Sequence, residues 1–380
     1  MNDFNRTLDL QAALKQRSAF LFGPRGTGKS TLVRKVFPEA RYYDLLDERT
    51  YLSLLRDSRL IAEQNPHPDS LIVIDEVQKL PKLLDEVHRL IFEKKHRFLL
   101  TGSSARKLKR AGVNLLGGRA RELHLFPLTS REIPDFDLGY YINRGGLPLV
   151  YQSDEPLEDL ASYVSLYLRE EIAAEALTRR VDQFARFLDI VALNNGEELH
   201  YKNLSSDSGV PVRTLENYVE ILEDTLVGFR VLPFEKAKKR KSITRSKLFL
   251  FDLGVTKVLA KRGEVQKGSE LFGKAFEHFI CLELRAALDY QKIREPIQYW
   301  RTKSGYEVDF IVGDQVAIEV KAVEQVTERH LKGLRYLAEE KNLKKYWVVS
   351  LDPIRRRVGE IEIIPWKEFL AALWAEELFW

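Results

Sequence analysis

The chain has 380 residues, of which 44% are hydrophobic and 31% charged, a balance that excludes a disordered or collagen-like polypeptide and predicts two or three folded domains. Lysine and arginine number 60 against 56 acids, a net charge of +4, so only local clustering can say anything about partners. One cysteine, Cys281, rules out an internal disulfide and a cysteine-based zinc site, and the seven histidines include no HExxH pair. No apolar run approaches the ~18 residues of a membrane helix. The N-terminus lacks the charged-then-apolar layout of a signal peptide, so the expectation is a cytoplasmic protein without a membrane partner.

The first strand is expected at residues 19–23, with a helical pattern opening at Thr31. Between them stands Gly23-Pro24-Arg25-Gly26-Thr27-Gly28-Lys29-Ser30-Thr31, a full GxxxxGK[ST] match in its strand–loop–helix setting. The glycines let backbone N–H groups wrap phosphates, and the helix N-terminus adds a positive dipole end. Lys29 is expected to reach the β- and γ-phosphates of ATP, and the Ser30 hydroxyl to hold Mg²⁺. A second buried strand, Ser70 to Ile74, ends in Asp75-Glu76. Asp75 is expected to hold the magnesium through water, and Glu76 to orient or deprotonate the attacking water. A third strand, Arg97 to Thr101, runs into Gly102-Ser103-Ser104. At the C-terminal edge of a parallel sheet Ser103 or Ser104 is placed to sense the γ-phosphate, or else closes an ordinary turn.

These segments, with Ile74-Asp75-Glu76-Val77-Gln78-Lys79-Leu80-Pro81 and Leu100-Thr101-Gly102-Ser103-Ser104, resemble the AAA+ superfamily. More narrowly they resemble a prokaryotic ATPase family with a C-terminal domain of unknown function. In that family a Gly-Arg and an apolar-Pro-Leu segment come next, here Gly118-Arg119 and Leu125-Phe126-Pro127-Leu128. The resemblance implies a homo-oligomer, a hexameric ring, in which a neighbour's arginine completes each ATP site. Arg119 is the candidate, with Arg121 in reserve; a surface or DNA-facing arginine is the alternative. No Leu-Ser-Gly-Gly-Gln stretch is present, against an ABC subunit.

Further along, Asp159 to Arg180 reads as helix, with Leu160, Tyr163, Val164, Tyr167, Leu168 and Ile172 at spacings of three and four, part of a lid. Residues 182–193 form another amphipathic helix. Leu204 to Leu222 reads as helix-turn-helix, with Gly209 at the turn and Leu215, Val219 and Leu222 on the buried side of the second helix. Strands at Val231–Phe234 and Lys247–Phe251 would be its wing. Arg213, Thr214 and Asn217, at the start of the second helix, stand where DNA contacts usually sit. The intervening Lys236 to Lys247 has seven basic residues in twelve and no acid. In a wing, Lys238, Lys239, Arg240, Lys241 and Arg245 would contact DNA phosphates, the alternative being a solvated loop. Arg106, Lys107, Lys109 and Arg110 form a second basic group, facing a ring pore or solvent.

The last unit opens with a helix over Leu271–Leu288 that carries Glu277; Cys281, one turn on, belongs to the core. Strands follow at 298–303 and 306–312, and Gly313-Asp314-Gln315 turns the chain into Val316–Lys321. A three-residue hairpin loop pairs Val312 with Val316 and brings Asp309 opposite Glu319, with Lys321 on the same face and Val316, Ile318 and Val320 on the other. This arrangement resembles the PD-(D/E)xK superfamily, the restriction-endonuclease-like fold. The resemblance implies that Asp309, Glu319 and the helical acid Glu277 face Mg²⁺, with Lys321 positioning the attacking water. Val308 stands where that family often has proline, and Lys332 replaces a glutamine found in some members. A surface salt bridge between Glu319 and Lys321 is the alternative.

The expected fold is thus α/β: an AAA+ P-loop parallel-sheet domain (1–135), a helical lid and winged helix-turn-helix middle (136–260), and a C-terminal restriction-endonuclease-like α/β domain (261–380). The expected activity is ATP hydrolysis coupled to duplex or branched DNA, with nuclease activity open. The rival is a nucleotide-switched binding protein whose nuclease-like domain is inert.

Overall fold

Short apolar runs ending in glycine or small polar residues build the first layer. In the computed structural model, which describes residues 4–15, 17–104, 108, 120–171, 181–235 and 244–377, these runs become five strands. They are β1 (Ser18–Phe22), β2 (Arg41–Asp44), β3 (Leu71–Asp75), β4 (Arg97–Gly102) and β5 (Ala120–His124). All pair in parallel, in the order β2-β3-β4-β1-β5. Because both faces are covered by helices, β1 and β3 read as nearly continuous apolar segments rather than alternating ones. The C-terminal ends of β1, β3 and β4 open onto one crevice, and helix α1 (Lys29–Val36) starts there.

The middle of the chain shares one apolar core built from Leu160, Val164, Phe184, Phe187, Leu215, Tyr218, Val219, Leu222 and Phe251. Its helices are α2 (Val181–Leu193), α3 (Tyr201–Ser208) and α4 (Val212–Asp224). Gly209 ends α3 at φ 67°, left-handed backbone that favours glycine. The expected long helix from Asp159 is corrected: an α-helix over Pro156–Ser162 passes into a π-helix over Tyr163–Glu171. Spacings of three and four fit both windings, so periodicity could not separate them. Ile172 lies outside the described residues.

The second sheet has eight strands. Residues 228–250 supply β6 (Gly228–Pro233) and β7 (Lys247–Leu250); the rest are β8 (Ile297–Arg301), β9 (Glu307–Val312), β10 (Val316–Lys321), β11 (Lys345–Ser350), β12 (Arg356–Val358) and β13 (Ile361–Pro365). The order is β12-β13-β11-β10-β9-β8-β6-β7, with parallel and antiparallel neighbours mixed. Helix α5 (Glu270–Tyr290), capped by Ser269, packs Phe276, Phe279, Ile280 and Leu284 against Val316, Ile318 and Val320. Helix α6 (Lys332–Glu340) packs Leu334 and Leu337 with Val308, Ile311 and Ala317. Cys281 is buried in the core as expected.

One expectation about the wing is corrected here. β6 and β7 do pair antiparallel, Gly228 with Leu250, but β6 also pairs in parallel with β8, Leu232 with Gln298. The two strands are therefore the edge of the C-terminal sheet rather than a free-standing wing. Phe234, fully buried beside Trp300, fixes that junction.

Candidate functional site

The P-loop crevice gathers residues from widely separated stretches of chain. Gly23 sits where a Cβ would come within 2.4 Å of the Leu125 carbonyl, so only glycine lets the loop lie against the segment after β5. Gly28, at φ 89°, caps α1 and turns the chain so that Lys29 and Ser30 open the helix. The Lys29 ammonium donates to the carbonyls of Gly23 (2.8 Å) and Pro24 (3.1 Å). Burial pulls it down to about 8, against the opposing pull of Glu76 and Asp75. Asp75, at the end of β3, accepts from the hydroxyls of Tyr42 and Thr101. Glu76 follows in left-handed backbone, φ 58° and ψ 43°, a conformation that costs a non-glycine residue about 1 kcal/mol or more. Its carboxyl is raised by burial, opposed by Lys29. Gln78 donates to Glu76 and, at 3.1 Å, to Ser103, and so joins the ends of β3 and β4. The buried Gln78 Oε1 has no hydrogen-bond partner.

A cleft of about 400 Å³ opens here, lined among others by Arg25, Gly26, Lys29, Ser30, Thr31 and Glu76. Its far wall is Pro148, Leu149 and Gln152 from the middle of the chain. The Tyr163 hydroxyl donates to the Arg25 carbonyl at 2.9 Å, tying the π-helix to the loop. The N-terminal arm closes the site: Arg6 donates to Thr27 O (2.6 Å) and Phe126 O (2.5 Å) and pairs with Glu132 at 3.1 Å. Tyr42, Thr101 and Arg6 were not foreseen. The polar end of β4 signalled Thr101; nothing local signalled the other two. Arg121, the reserve arginine, donates to the Ala13 carbonyl, and Arg119 lies outside the described residues. A hydroxyl and one carboxylate suit a magnesium ion whose remaining ligands are phosphate oxygens and water.

The second cluster lies on the mixed sheet. The hairpin has the expected register: Val312 pairs with Val316 and Phe310 with Ile318, which brings Asp309 beside Glu319. Lys321 stands 2.6 Å from Glu319 and 3.6 Å from Asp309, and Asp309 also accepts from the Val320 N–H at 2.7 Å. Neither acid is at the surface: Asp309 is 6% and Glu319 7% exposed, on an interior strand. The exposed-strand salt bridge is therefore excluded, although the ion pair itself forms. Burial, reinforced by Asp309, pushes Glu319 up to about 8. Its Oε2 is buried without a partner. Glu277 departs from expectation. It pairs with Lys247 at 3.3 Å, and Lys247 also pairs with Glu307 at 2.6 Å. The Lys247 ammonium, carried in from β7, holds Glu277 away from a metal role, although Glu277 still feels Asp309 and Lys321 electrostatically. Among the described residues, no group of three or more His, Cys, Asp or Glu could hold a metal ion.

Of the expected DNA contacts, Arg213 is exposed and Thr214 and Asn217 half-buried at the start of α4. Arg245 is exposed and pairs with Glu198 at 3.5 Å. Lys238, Lys239, Arg240 and Lys241, and the group Arg106, Lys107, Lys109 and Arg110, lie outside the described residues. No helix among the described residues is long and apolar enough to cross a membrane.

Comparison with known proteins divides the chain in three. Residues 15–134 match the model of an AAA domain; residues 135–266 and 272–369 match two domains of unknown function, DUF8612 and DUF4143. An uncharacterized protein of Methanocaldococcus jannaschii is 23% identical over 418 residues, covering 94% of this chain and 85% of that protein. One of Haemophilus influenzae is 22% identical over 380 residues, covering 90% and 91%. Among solved structures, the Aeropyrum pernix ORC1 protein in complex with DNA is 15% identical with a TM-score of 0.27, over 66% of this chain and 89% of that one. A signal transduction ATPase with numerous domains from Pyrococcus horikoshii is 15% identical with a TM-score of 0.25, over 76% and 50%. Those TM-scores are too low to bear on activity. The chain thus carries an AAA-type P-loop ATPase domain and, after it, a distinct C-terminal domain of unknown function on a mixed sheet.

Proposed function

We propose that the protein is an ATP-hydrolysing AAA+ machine that acts on DNA as a homo-oligomer, a hexameric ring, with a C-terminal domain of the PD-(D/E)xK type. The observation that carries the reading is the meeting of Lys29, Ser30, Asp75 and Glu76 at one crevice, with Gln78 and Ser103 behind Glu76. Lys29 turns from the loop carbonyls to the β- and γ-phosphates, and Arg25 flanks them. Glu76 takes the proton of the attacking water, and its burial raises its basicity for that task. Gln78 holds that carboxylate in register with Ser103. Ser30 and Asp75 would hold magnesium, which neutralises charge on the phosphate oxygens when bound.

In the C-terminal domain, Asp309 and Glu319 are the acids suited to a divalent ion, and Lys321 orients a water against the scissile phosphate. The orphaned Glu319 oxygen supports that role. The helix-turn-helix and the basic stretch around Lys238–Lys241 would grip the DNA backbone, with the three functional units meeting near residues 135 and 260. A second reading, a nucleotide-switched binding protein with an inert nuclease-like domain, is favoured by one observation: the acids of the cluster are already paired with lysines. Cleavage assays decide between them. With Mg²⁺ or Mn²⁺, the purified protein should cut duplex, forked or four-way-junction DNA, and Asp309→Asn should stop cutting while ATP hydrolysis continues. If none of these substrates is cut with either metal, the second reading stands.

A further inference from the structure

Asp252 is a fully buried acid that none of the steps above uses. It stands at the N-terminus of the helix Leu253–Leu259 and caps it, one oxygen accepting from the Val255 N–H at 2.9 Å. The other oxygen accepts from the Gly146 N–H at 2.7 Å, 106 residues away in sequence. Burial lifts the carboxyl to about 6, opposed by the N–H groups of Val255, Gly146, Gly254 and Leu147 that bond its ionised form. The chain at residues 145–147 is shaped to this carboxylate. Gly145 stands at φ 77°, and a Cβ there would overlap both Asp252 oxygens.

The same turn leads straight to the nucleotide cleft. Pro148 opens the short helix Pro148–Tyr151, and Pro148 and Leu149 form the wall that faces Lys29 and Ser30. The turn also stands over the P-loop itself: a Cβ on Gly26 would lie 3.6 Å from a Leu147 methyl, and one on Gly28 3.8 Å from the Pro148 ring. Asp252 follows β7, the edge strand of the mixed sheet, so this wall is fastened to the second sheet and not to the parallel one.

We propose that Asp252 is a positioning residue for the nucleotide site, anchoring the turn at residues 145–147 and so holding Pro148 and Leu149 against bound ATP. The inference rests on the ATP-binding reading of the crevice. The wall touches nucleotide and not the attacking water, so its loss weakens binding and leaves the chemical step alone.

Asp252→Ser separates the two tasks of the carboxylate. Serine still caps the helix but is too short to reach the Gly146 N–H, which is left buried and unpaired. In the full-length protein with Mg²⁺, calorimetry of a non-hydrolysable ATP analogue gives Kd, and phosphate release from ATP gives KM and kcat. Kd and KM should both rise about fivefold or more, the usual effect of stranding one buried donor, while kcat stays within about threefold of wild type. A smaller rise in a variant with wild-type circular dichroism, or a fall in kcat at unchanged KM, overturns the role of Asp252 and leaves the ATP site standing. Should Asp252→Ser fail to fold, amide exchange in wild type decides: the analogue should slow exchange across residues 144–151, and exchange there indifferent to nucleotide overturns the inference. Failure of wild type to bind the analogue at all overturns the ATP-binding reading itself.

Discussion

Glu76 occupies backbone that a carboxylate side chain rarely adopts, and that position places its oxygens beside Gln78 and over the crevice. Its neighbour Asp75 is held instead by Tyr42 and Thr101. The two acids therefore have separate tasks, and substitutions should separate them. Lys29→Ala should lose ATP binding, because the ammonium seated among the loop carbonyls is gone. Glu76→Gln should keep binding and lose turnover by about 10²-fold or more, since general-base assistance contributes on that order. Equilibrium binding of a fluorescent ATP analogue beside a phosphate-release assay checks both. The contiguous loop and the acid pair were legible because their chemistry follows from local spacing. Tyr42, Arg6 and Lys247 were not, because each reaches its site from a segment that only the tertiary fold brings near.

At the scale of elements, the hairpin β9–β10 was legible down to its register, since a three-residue loop with alternating apolar residues leaves one pairing. The fate of β6 and β7 was not. A pair of antiparallel strands after a helix-turn-helix satisfies the pattern of a wing, and no local signal reveals that β6 also pairs with β8. The junction depends on Phe234, whose N–H donates to the Tyr299 carbonyl at 2.7 Å and whose ring is fully buried with Trp300. Phe234→Ala should destabilise the C-terminal domain by about 3–5 kcal/mol, the usual cost of emptying an aromatic site in a core. Urea unfolding followed by tryptophan fluorescence measures it. A change under about 1 kcal/mol would mean the edge strands are dispensable to the sheet.

The whole molecule is joined along one line from the P-loop to the C-terminal helix. Arg6 ties Thr27 to Phe126, the Phe126 N–H donates to Tyr290, and His124 at the end of β5 pairs with Asp289 at 2.8 Å. Ser130 donates to Glu283, which also accepts from Trp374. Burial alone would lower the His124 imidazole, but its hydrogen bonds to Asp289 and Glu122 outweigh this and raise it to about 9. A histidine raised above its unfolded value near 6.5 contributes stability that is complete below that pH and lost as pH rises through about 9. The contribution should amount to about 1–2 kcal/mol after allowance for its partial exposure. Wild type should therefore lose stability between pH 6.5 and 9 relative to His124→Gln, as chemical denaturation across that range would show. Parallel curves would place the ion pair outside the stability of this joint. None of this line was legible in the sequence, which marks domains by composition and motif but carries no sign of which surfaces meet.

In the proposed function the crevice hydrolyses ATP in the service of DNA. Steady-state ATP turnover of the purified protein, with no DNA and with duplex, single-stranded and four-way-junction DNA, tests it most directly, with Glu76→Gln as the blank. Turnover should depend on Glu76, and at least one of these DNAs should stimulate it several-fold. Turnover equal in Glu76→Gln and wild type would contradict the assignment of the site, and Glu76-dependent turnover indifferent to every DNA would contradict its purpose.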